Sequence, residues 1–549
     1  MFVGVAALSR RASQRRPPSR MELFSLAFAL FLAASFVAYY VVGAVAGKGQ
    51  WVVLLVVSLA FYCIAGSVQA LGFIVYASFV TWVAARYLGR CDVNCKAERK
   101  ACSDRKQKKA VKARYLRKKR IALVLALVAC LLVLGYVKYF NVILFNFGLT
   151  SSPRSLGILL PLGISFFTFQ SLGYLIDAYN GRFAPQENFA KYLLFVSWFP
   201  QLIQGPINKY EQTGGLLLKS RRVQEVDCRR AVLRLGYGIF KKVTIANLLF
   251  PVYYSVFSGI NVHTPGNVIA LGIVVYSVYM YADFSGGIDI VEGVSELFGV
   301  QMAQNFRQPY FSVSLSDFWR RWHMSLGAWM RDYVFYPFAL LTPLQNFGKW
   351  ATKHMGRHAG RTLPACIANI VVFLCVGLWH GAEWHYVLWG LYNGVIVALA
   401  DLLAPAFAAL ARVLHVNRES RGFHVFAVVR TFLVVQVGRY FDCITNIGAL
   451  GICLHNTLFN FNSVPIATAL AARGVSRAST LGFPKITILA CVVVFVISLL
   501  YETGHDVRSE LLAVRLPVRA LAYGLCFVLV VLAFPYTVTN GGGFLYANF

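Results

Sequence analysis

Ile367-Ala-Asn-Ile-Val-Val-Phe-Leu-Cys-Val-Gly-Leu-Trp-His-Gly-Ala382 is an apolar run that ends on a histidine between two glycines. The uncharged part, Ile367 to Val376, is typical of a membrane segment. His380 follows it, and an imidazole gains or loses a proton near neutral pH. An ionisable residue at membrane depth is either functional or a buried group held by a neighbour. The stretch therefore predicts a membrane protein and makes His380 the first residue to explain.

Composition extends this interpretation to the whole chain of 549 residues. Hydrophobic residues make up 58% and charged residues only 14%, which indicates a polytopic membrane protein. We expect about 11 membrane helices, some of them broken or re-entrant. No polar segment is long enough to fold alone as a soluble domain. Clear spans begin at Leu23, Trp51, Ile121, Ala231, Val268, Trp384, Phe423 and Ile486.

The formal charge of +31 comes from basic residues that cluster beside the spans, with the densest group in residues 86–120. This placement favours a cytoplasmic loop with anionic lipid contacts, and it argues against a nucleic-acid-binding protein. Because Met21 directly precedes an apolar run, we expect residues 1–20 to be a basic extension outside the fold. Residues 21–549 then form one membrane domain, with its core motifs in residues 156–400.

Three of the twelve cysteines, Cys91, Cys95 and Cys102, lie within that basic segment. Their spacing lacks the paired Cys-x-x-Cys arrangement of zinc sites. The segment is also assigned to the reducing cytoplasm, where disulfides are rare. We therefore expect free thiols and no metal site.

Several segments are polar or irregular where a membrane protein is usually apolar. Pro161 to Gln170 contains Pro and Gly and predicts a broken helix. Phe199 to Pro206 holds two prolines and two glutamines and predicts a re-entrant turn. Asp283 and Asp289 place two carboxylates at membrane depth, where they need partners or water.

The longest such segment runs from Ser314 to Tyr333 and is rich in charge. Helical spacing would place Phe318, Trp322 and Trp329 on one face, with Arg320, His323 and other polar groups elsewhere. An interfacial amphipathic helix, with its tryptophans at the headgroup level, explains this pattern as well as a functional site does.

Taken in order, these segments resemble the membrane-bound O-acyltransferase family, in the branch typified by alginate O-acetylation and teichoic-acid D-alanylation proteins. The resemblance covers roughly Trp51 to the C-terminus. It is carried by the earlier segments above and by two histidine motifs, Ser316 to Leu326 and Gly377 to Ala382, the second followed by Trp389-Gly390 and Asn393-Gly394.

The resemblance implies an all-α membrane fold of about 11 helices around a central tunnel, which joins a cytosolic acyl donor to an acceptor outside. His380 would be the catalytic histidine and His323 a supporting one. A neutral imidazole suits this chemistry, because a hydroxyl that attacks a thioester must lose its proton. Motif positions that would line the tunnel are Asp317, Arg320, Trp322 and Trp379.

The expected reaction is acyl transfer, with acetyl favoured, from a cytosolic thioester to hydroxyls of a cell-envelope polysaccharide in a bacterial cytoplasmic membrane. No tightly bound cofactor is expected; the co-substrate is acetyl-CoA or an acyl carrier protein. The resemblance also implies a separate extracytoplasmic acyltransferase partner. After Tyr333 the chain lacks the Gly-Gly-Asn-Arg associated with alginate members, and Trp322 to Met324 and Arg331 to Phe335 lean towards D-alanyl transfer to teichoic acid.

Two other classes of protein stay open. A transporter or flippase would use Asp283, Asp289 and His380 to relay ions, but the internal repeats expected of one are not apparent. A catalytically silent scaffold would keep the motifs without activity, because a motif does not by itself establish function.

Overall fold

The structure is a computed structural model, and it describes residues 25–150, 158, 160–461 and 477–540. The proposed extension, residues 1–20, lies outside this range. Helices and helical turns form all the regular structure of the described residues, apart from an isolated bridge between Phe306 and Trp322. The predicted all-helical fold is therefore confirmed.

The α-helices are α1 Leu26–Ala46, α2 Gln50–Ala65, α3 Val68–Ala101, α4 Arg105–Asn146, α5 Ile164–Tyr179, α6 Phe189–Ser197, α7 Phe199–Gln204, α8 Tyr210–Leu218, α9 Cys228–Lys241, α10 Asn247–Phe257, α11 Gly266–Leu297, α12 Leu315–Arg321, α13 Met324–Met330, α14 Tyr336–Ala339, α15 Thr342–His380, α16 Trp384–Leu402, α17 Ala404–Val413, α18 Arg421–Cys443, α19 Ile447–Phe459, α20 Arg477–Glu502, α21 Val507–Ala513 and α22 Leu516–Asn540. Short 3₁₀ turns cover Val223–Glu225 and Pro309–Phe311, and π-turns cover Lys242–Ala246 and Arg331–Phe335.

Eight helices of the described residues are long and apolar enough to cross a membrane: α1, α3, α4, α11, α15, α18, and the parts Lys485–Glu502 of α20 and Leu516–Tyr536 of α22. Helices α16 and α17 meet at a bend of 56°. If this pair is counted as one membrane span, the number of spans in the described residues is nine. This is fewer than the expected eleven. The segment from Ala231 carries several charges and is divided into α9, a π-turn and α10, while α2 has only 16 residues.

The basic segment 86–120 is not the loop that the sequence suggested. Helices α3 and α4 continue through it, and only residues 102–104 separate them. Lys and Arg are good helix formers, so a high positive charge does not prevent a helix. Opposite charges also face each other across the pair: Lys119 Nζ lies 2.9 Å from the Asp92 carboxylate, and Arg114 pairs with Glu98.

The chain divides into two compact units: residues 25–232 with 291–303, and residues 233–290 with 304–540. In the first unit the segment Pro161 to Gln170 is the start of a continuous helix, not a broken one. Gly163 adopts φ 67° and α5 begins at the next residue and is buried along most of its length. The segment Phe199 to Pro206 is irregular, as expected, with a short helix that begins after a sharp turn at Trp198.

In the second unit, the carboxylates predicted at membrane depth have cationic partners. Lys242, at the start of the π-turn, pairs with Asp283 of α11. Asp289 pairs with Lys241 and lies 3.3 Å from Arg234 Nε. The Lys242 and Asp283 side chains are at most 3% exposed. Buried charges are tolerated only when paired in this way.

The same unit contains the hairpin of α15 and α16, which positions His380. Glycines allow the two helices to approach closely: a Cβ atom on Gly377 would lie 2.3 Å from the Tyr386 carbonyl oxygen, and one on Gly390 would lie 2.5 Å from that of Phe373. Side chains at these positions would collide with backbone. The glycines that follow the apolar run thus set the helix spacing beside His380.

Candidate active site

The first histidine motif contains a break in the helix. Helix α12 ends at Arg321, His323 adopts φ 48° and ψ 51°, and α13 begins at the next residue. A left-handed conformation is uncommon for a residue other than glycine. The expected single helix, with Phe318, Trp322 and Trp329 on one face, is therefore wrong. Phe318 and Trp322 do stack, with ring centroids 5.6 Å apart, whereas Trp329 lies on α13 and packs against Tyr333.

Asn305 holds this break in place. Its side-chain oxygen accepts hydrogen bonds from the backbone N–H and the hydroxyl of Ser325, at 3.1 and 2.9 Å. His323 Nδ1 lies 3.1 Å from the same oxygen. Because an amide oxygen is only an acceptor, Nδ1 must carry the proton. Nε2 then carries the lone pair, so the imidazole is held as one neutral tautomer.

The surroundings of His323 favour the same neutral state. The residue is 3% exposed, and the Phe284 ring lies edge-on to it at 4.9 Å. Burial away from water lowers the pKa of this imidazole to about 3, from an ordinary value of 6.5. His323 therefore stays uncharged at neutral pH and can accept a proton only where a negative group compensates.

We expect the stability of the protein to depend on pH through His323. Below about pH 6.5 this imidazole binds a proton in the unfolded chain but stays neutral in the folded protein. The free energy of unfolding therefore falls as pH falls, by at most about 1.4 kcal/mol per pH unit. Thermal unfolding in detergent from about pH 7 to about pH 5 measures this dependence of stability on pH. His323→Gln should flatten the profile, and parallel profiles for the two proteins would contradict the expectation.

His380 is the last residue of α15 and is only half-buried. Its ring stacks on Tyr386 with centroids 5.7 Å apart and meets the Trp389 ring edge-on at 5.5 Å. Trp379, the preceding residue, lies at 4.9 Å. Helix α15 ends here because Gly381 takes an extended conformation and turns the chain towards α16. An accessible imidazole among aromatic rings is suited to proton transfer on a bound substrate.

One indole connects the two histidines. The Trp379 ring centroid lies 6.0 Å from that of His323 and 4.9 Å from that of His380. Trp379 itself is 3% exposed. Residues that are 57 positions apart in the sequence therefore belong to one aromatic cluster within the second unit.

Trp322 adds to this cluster from the other side of the helix break. It is 2% exposed, and the guanidinium carbon of Arg439 lies 4.5 Å from its ring centroid. Other rings within 6.3 Å belong to Tyr281, Phe284, Phe306, Tyr310 and Phe318.

Asp317 and Arg320, two of the predicted tunnel residues, are not shown in contact with either histidine. The Asp317 carboxylate lies 3.1 Å from Arg321 Nε, and its Oδ2 accepts the Val313 N–H, so the side chain stabilises the start of α12. Arg321 also forms an ion pair with Glu502 of α20, in which Arg321 Nη1 lies 2.7 Å from the carboxylate. Arg320 is exposed and makes no hydrogen bond or ion pair with any described residue. The structure thus brings together His323, His380, Trp379 and Trp322.

Several residues of the site were not found from the sequence. Asn305 lies 18 residues before His323 in a segment with no regular structure, and Arg439 lies on α18, in a span chosen only for its hydropathy. Tyr386 follows His380 by six residues, and an aromatic residue on an apolar helix carries no distinctive signal. Among the described residues, no group of three His, Cys, Asp or Glu side chains is arranged to hold a metal ion.

The chain is similar in sequence to several bacterial proteins. The chain is 33% identical over 324 residues to the probable alginate O-acetylase AlgI of Azotobacter vinelandii, a match that covers 58% of each protein. It is 32% identical over 312 residues to the peptidoglycan O-acetyltransferase of Helicobacter pylori, covering 51% of this chain and 55% of that protein. It is 29% identical over 288 residues to the teichoic acid D-alanyltransferase of Bacillus subtilis, covering 51% and 67%.

The chain thus spans just under three fifths of the length of the first of these relatives. Residues 186–432 match the membrane-bound O-acyltransferase family, and this region contains both histidines and Asn305. The all-helical fold with its apolar helices agrees with a multi-pass membrane protein of that family. The chain accordingly contains a membrane-bound O-acyltransferase domain, which covers residues 186–432.

Proposed function

We propose that this protein transfers an acyl group, acetyl in preference to others, from a cytosolic thioester to hydroxyls of a cell-envelope polysaccharide. The observation that carries the proposal is the half-exposed His380, which shares Trp379 with the neutral, buried His323. Support for the acetyl group comes from relatives named as alginate and peptidoglycan O-acetylating proteins.

In the proposed reaction, neutral His380 removes the proton of the acceptor hydroxyl as its oxygen attacks the thioester carbonyl. A carbon–oxygen bond forms, the carbon–sulfur bond breaks, and the departing thiolate takes the proton from His380. General-base catalysis of this kind contributes about 10²- to 10⁴-fold in rate. His323, with its tautomer fixed by Asn305, supports the cluster around Trp379.

Acetyl-CoA is the proposed co-substrate, with a loaded acyl carrier protein as the alternative. We place the reaction in a bacterial cytoplasmic membrane, where a tunnel brings donor and acceptor together and a separate extracytoplasmic acyltransferase completes transfer to the polymer. D-alanyl transfer to teichoic acid is the second candidate function, and the Bacillus subtilis relative is the observation in its favour.

A donor comparison tests the proposal. Membranes that contain the protein are supplied with radiolabelled acetyl-CoA or, separately, with a D-alanyl-loaded carrier protein, and label in envelope polymer is counted. Label from acetyl-CoA alone supports the first candidate function, and label from the carrier protein alone supports the second. Absence of protein-dependent label with both donors would overturn the acyltransferase proposal.

A further inference from the structure

A small cavity in the second unit lies one indole away from His380. Its walls include Trp319, Trp389, Asn393 and Arg439. The Trp319 and Trp389 rings meet edge-on at 5.3 Å, and Trp389 in turn contacts His380. The cavity volume is about 10 Å³, which is close to the space for one water-sized group. It can therefore take the end of a ligand, but not a whole sugar or nucleotide.

The Trp319 indole and the Asn393 amide in the wall of this cavity are already hydrogen-bonded. Trp319 Nε1–H donates to Asn393 Oδ1 at 3.1 Å, and Asn393 Nδ2–H donates to the Trp389 carbonyl oxygen at 2.8 Å. Arg439 is the charged residue in the wall of this cavity.

Arg439 is 4% exposed, and only one of its guanidinium nitrogens has a hydrogen-bond partner in the described part of the chain. Nη1 pairs with Asp442 at 2.8 Å. Nε and Nη2 are buried and make no hydrogen bond to any described residue. One face of the group rests on Trp322, so the guanidinium is held firmly with two donors unused. Burial of unsatisfied donors on a charged group is costly and calls for an explanation.

The unused donors point to a particular chemistry. Nε–H and one Nη2–H project side by side from the same edge of a guanidinium, and this pair matches the two oxygens of a carboxylate or phosphate. A lysine in the same place would offer only a point charge. We propose that Arg439 binds a carboxylate or phosphate group of the substrate, with one of its oxygens in the cavity, and so positions that substrate beside His380.

Direct binding tests this without reference to catalysis. Thermal midpoints of the purified chain in detergent are measured against inorganic phosphate and glucuronate, with glucose as the neutral comparison, at constant ionic strength. We expect saturable stabilisation by the anions but not by glucose, and at least tenfold weaker binding in Arg439→Gln. Arg430→Gln is the matched control, because Arg430 lies on the same helix but is exposed and donates to the Val313 carbonyl.

A second variant keeps the test decisive if Arg439→Gln does not fold. Asp442→Asn retains the guanidinium but removes its counter-charge, so we expect tighter anion binding than in the wild type. Unchanged midpoints with both anions in the wild type would overturn the proposal, and would mean that a water molecule alone satisfies Arg439. Equal anion binding by wild type and Arg439→Gln would overturn it as well.

Kinetics identify which substrate carries the anion, and this part rests on the proposed function. If the donor carries it, Arg439→Lys should raise KM for acetyl-CoA at least tenfold and leave kcat and the KM for phosphate-free S-acetylpantetheine unchanged. If the acceptor carries it, KM should rise for a uronate oligosaccharide but not for its carboxyl-reduced form. Equal losses with charged and neutral substrates would overturn the role of Arg439. If no substrate is acylated, the acyltransferase proposal is overturned. The proposal for Arg439 is then still tested by the binding measurements.

Discussion

His380→Ala is expected to lower acyl transfer by a factor of about 10² to 10⁴ while the protein still folds. The imidazole lies at the end of α15 and is half-buried, so its loss removes ring contacts with Tyr386 and Trp389 but opens no large cavity in the core. The base that accepts the hydroxyl proton would be missing. Radiolabelled acetyl transfer by membranes with equal amounts of each protein measures the effect.

His354→Ala is the matched control, because His354 is an exposed histidine of α15 that lies before the kink at Gly356, far along the chain from His380. We expect it to transfer acetyl at the wild-type rate. Size-exclusion profiles and thermal midpoints establish that all three proteins are folded to the same extent. Equal transfer by the wild type and His380→Ala would remove the catalytic role of His380 and return the transporter and scaffold interpretations to consideration.

Gly390→Ala is expected to destabilise the protein by about 3 kcal/mol, the upper end of the usual range for an overpacked site. The added methyl carbon would lie 2.5 Å from the Phe373 carbonyl oxygen, and that atom belongs to the α15 backbone. A rotamer change cannot relieve this contact, so α15 and α16 must separate. His380 lies at the end of this hairpin, and transfer should therefore fall together with the thermal midpoint.

The control for this effect is Gly524→Ala in α22, where an added Cβ meets nothing within 4 Å. Alanine is the better helix former by about 0.5 to 1 kcal/mol, so this variant should be as stable as the wild type or slightly more stable. A Gly390→Ala protein with the midpoint and activity of Gly524→Ala would show that the close approach of α15 and α16 is not needed.

The fold class was predictable because hydropathy responds to a single requirement, that a helix in lipid must be apolar for about 20 residues. The same reasoning failed where other forces decide. The charge of residues 86–120 predicts a loop, yet charge does not oppose helix formation where Lys119 and Asp92 can pair. The segment from Ala231 looked like one span, but its lysines pair with Asp283 and Asp289 and a π-turn interrupts it.

Of the candidate site, the sequence identified the residues that belong to motifs, and the structure places His323, Trp379 and His380 together. The break at His323 was not predictable from propensity, because the left-handed conformation there depends on Asn305, a residue outside the motif. Arg439 was missed for a similar reason. Its importance comes from two unpaired nitrogens and a cavity, which are properties of packing and leave no trace in the spacing of residues.

The ion pair between Lys242 and Asp283 also constrains how the protein is made. During synthesis the segment with Lys242 reaches the membrane about 40 residues before its partner does, and each charge alone is unfavourable in lipid by about 2.5 to 3.5 kcal/mol. Stable packing of the π-turn at Lys242 therefore has to wait until α11 arrives. Helices α1, α3 and α4 still anchor a chain that ends before Asp283, but such a chain should be degraded faster than one that ends just after it.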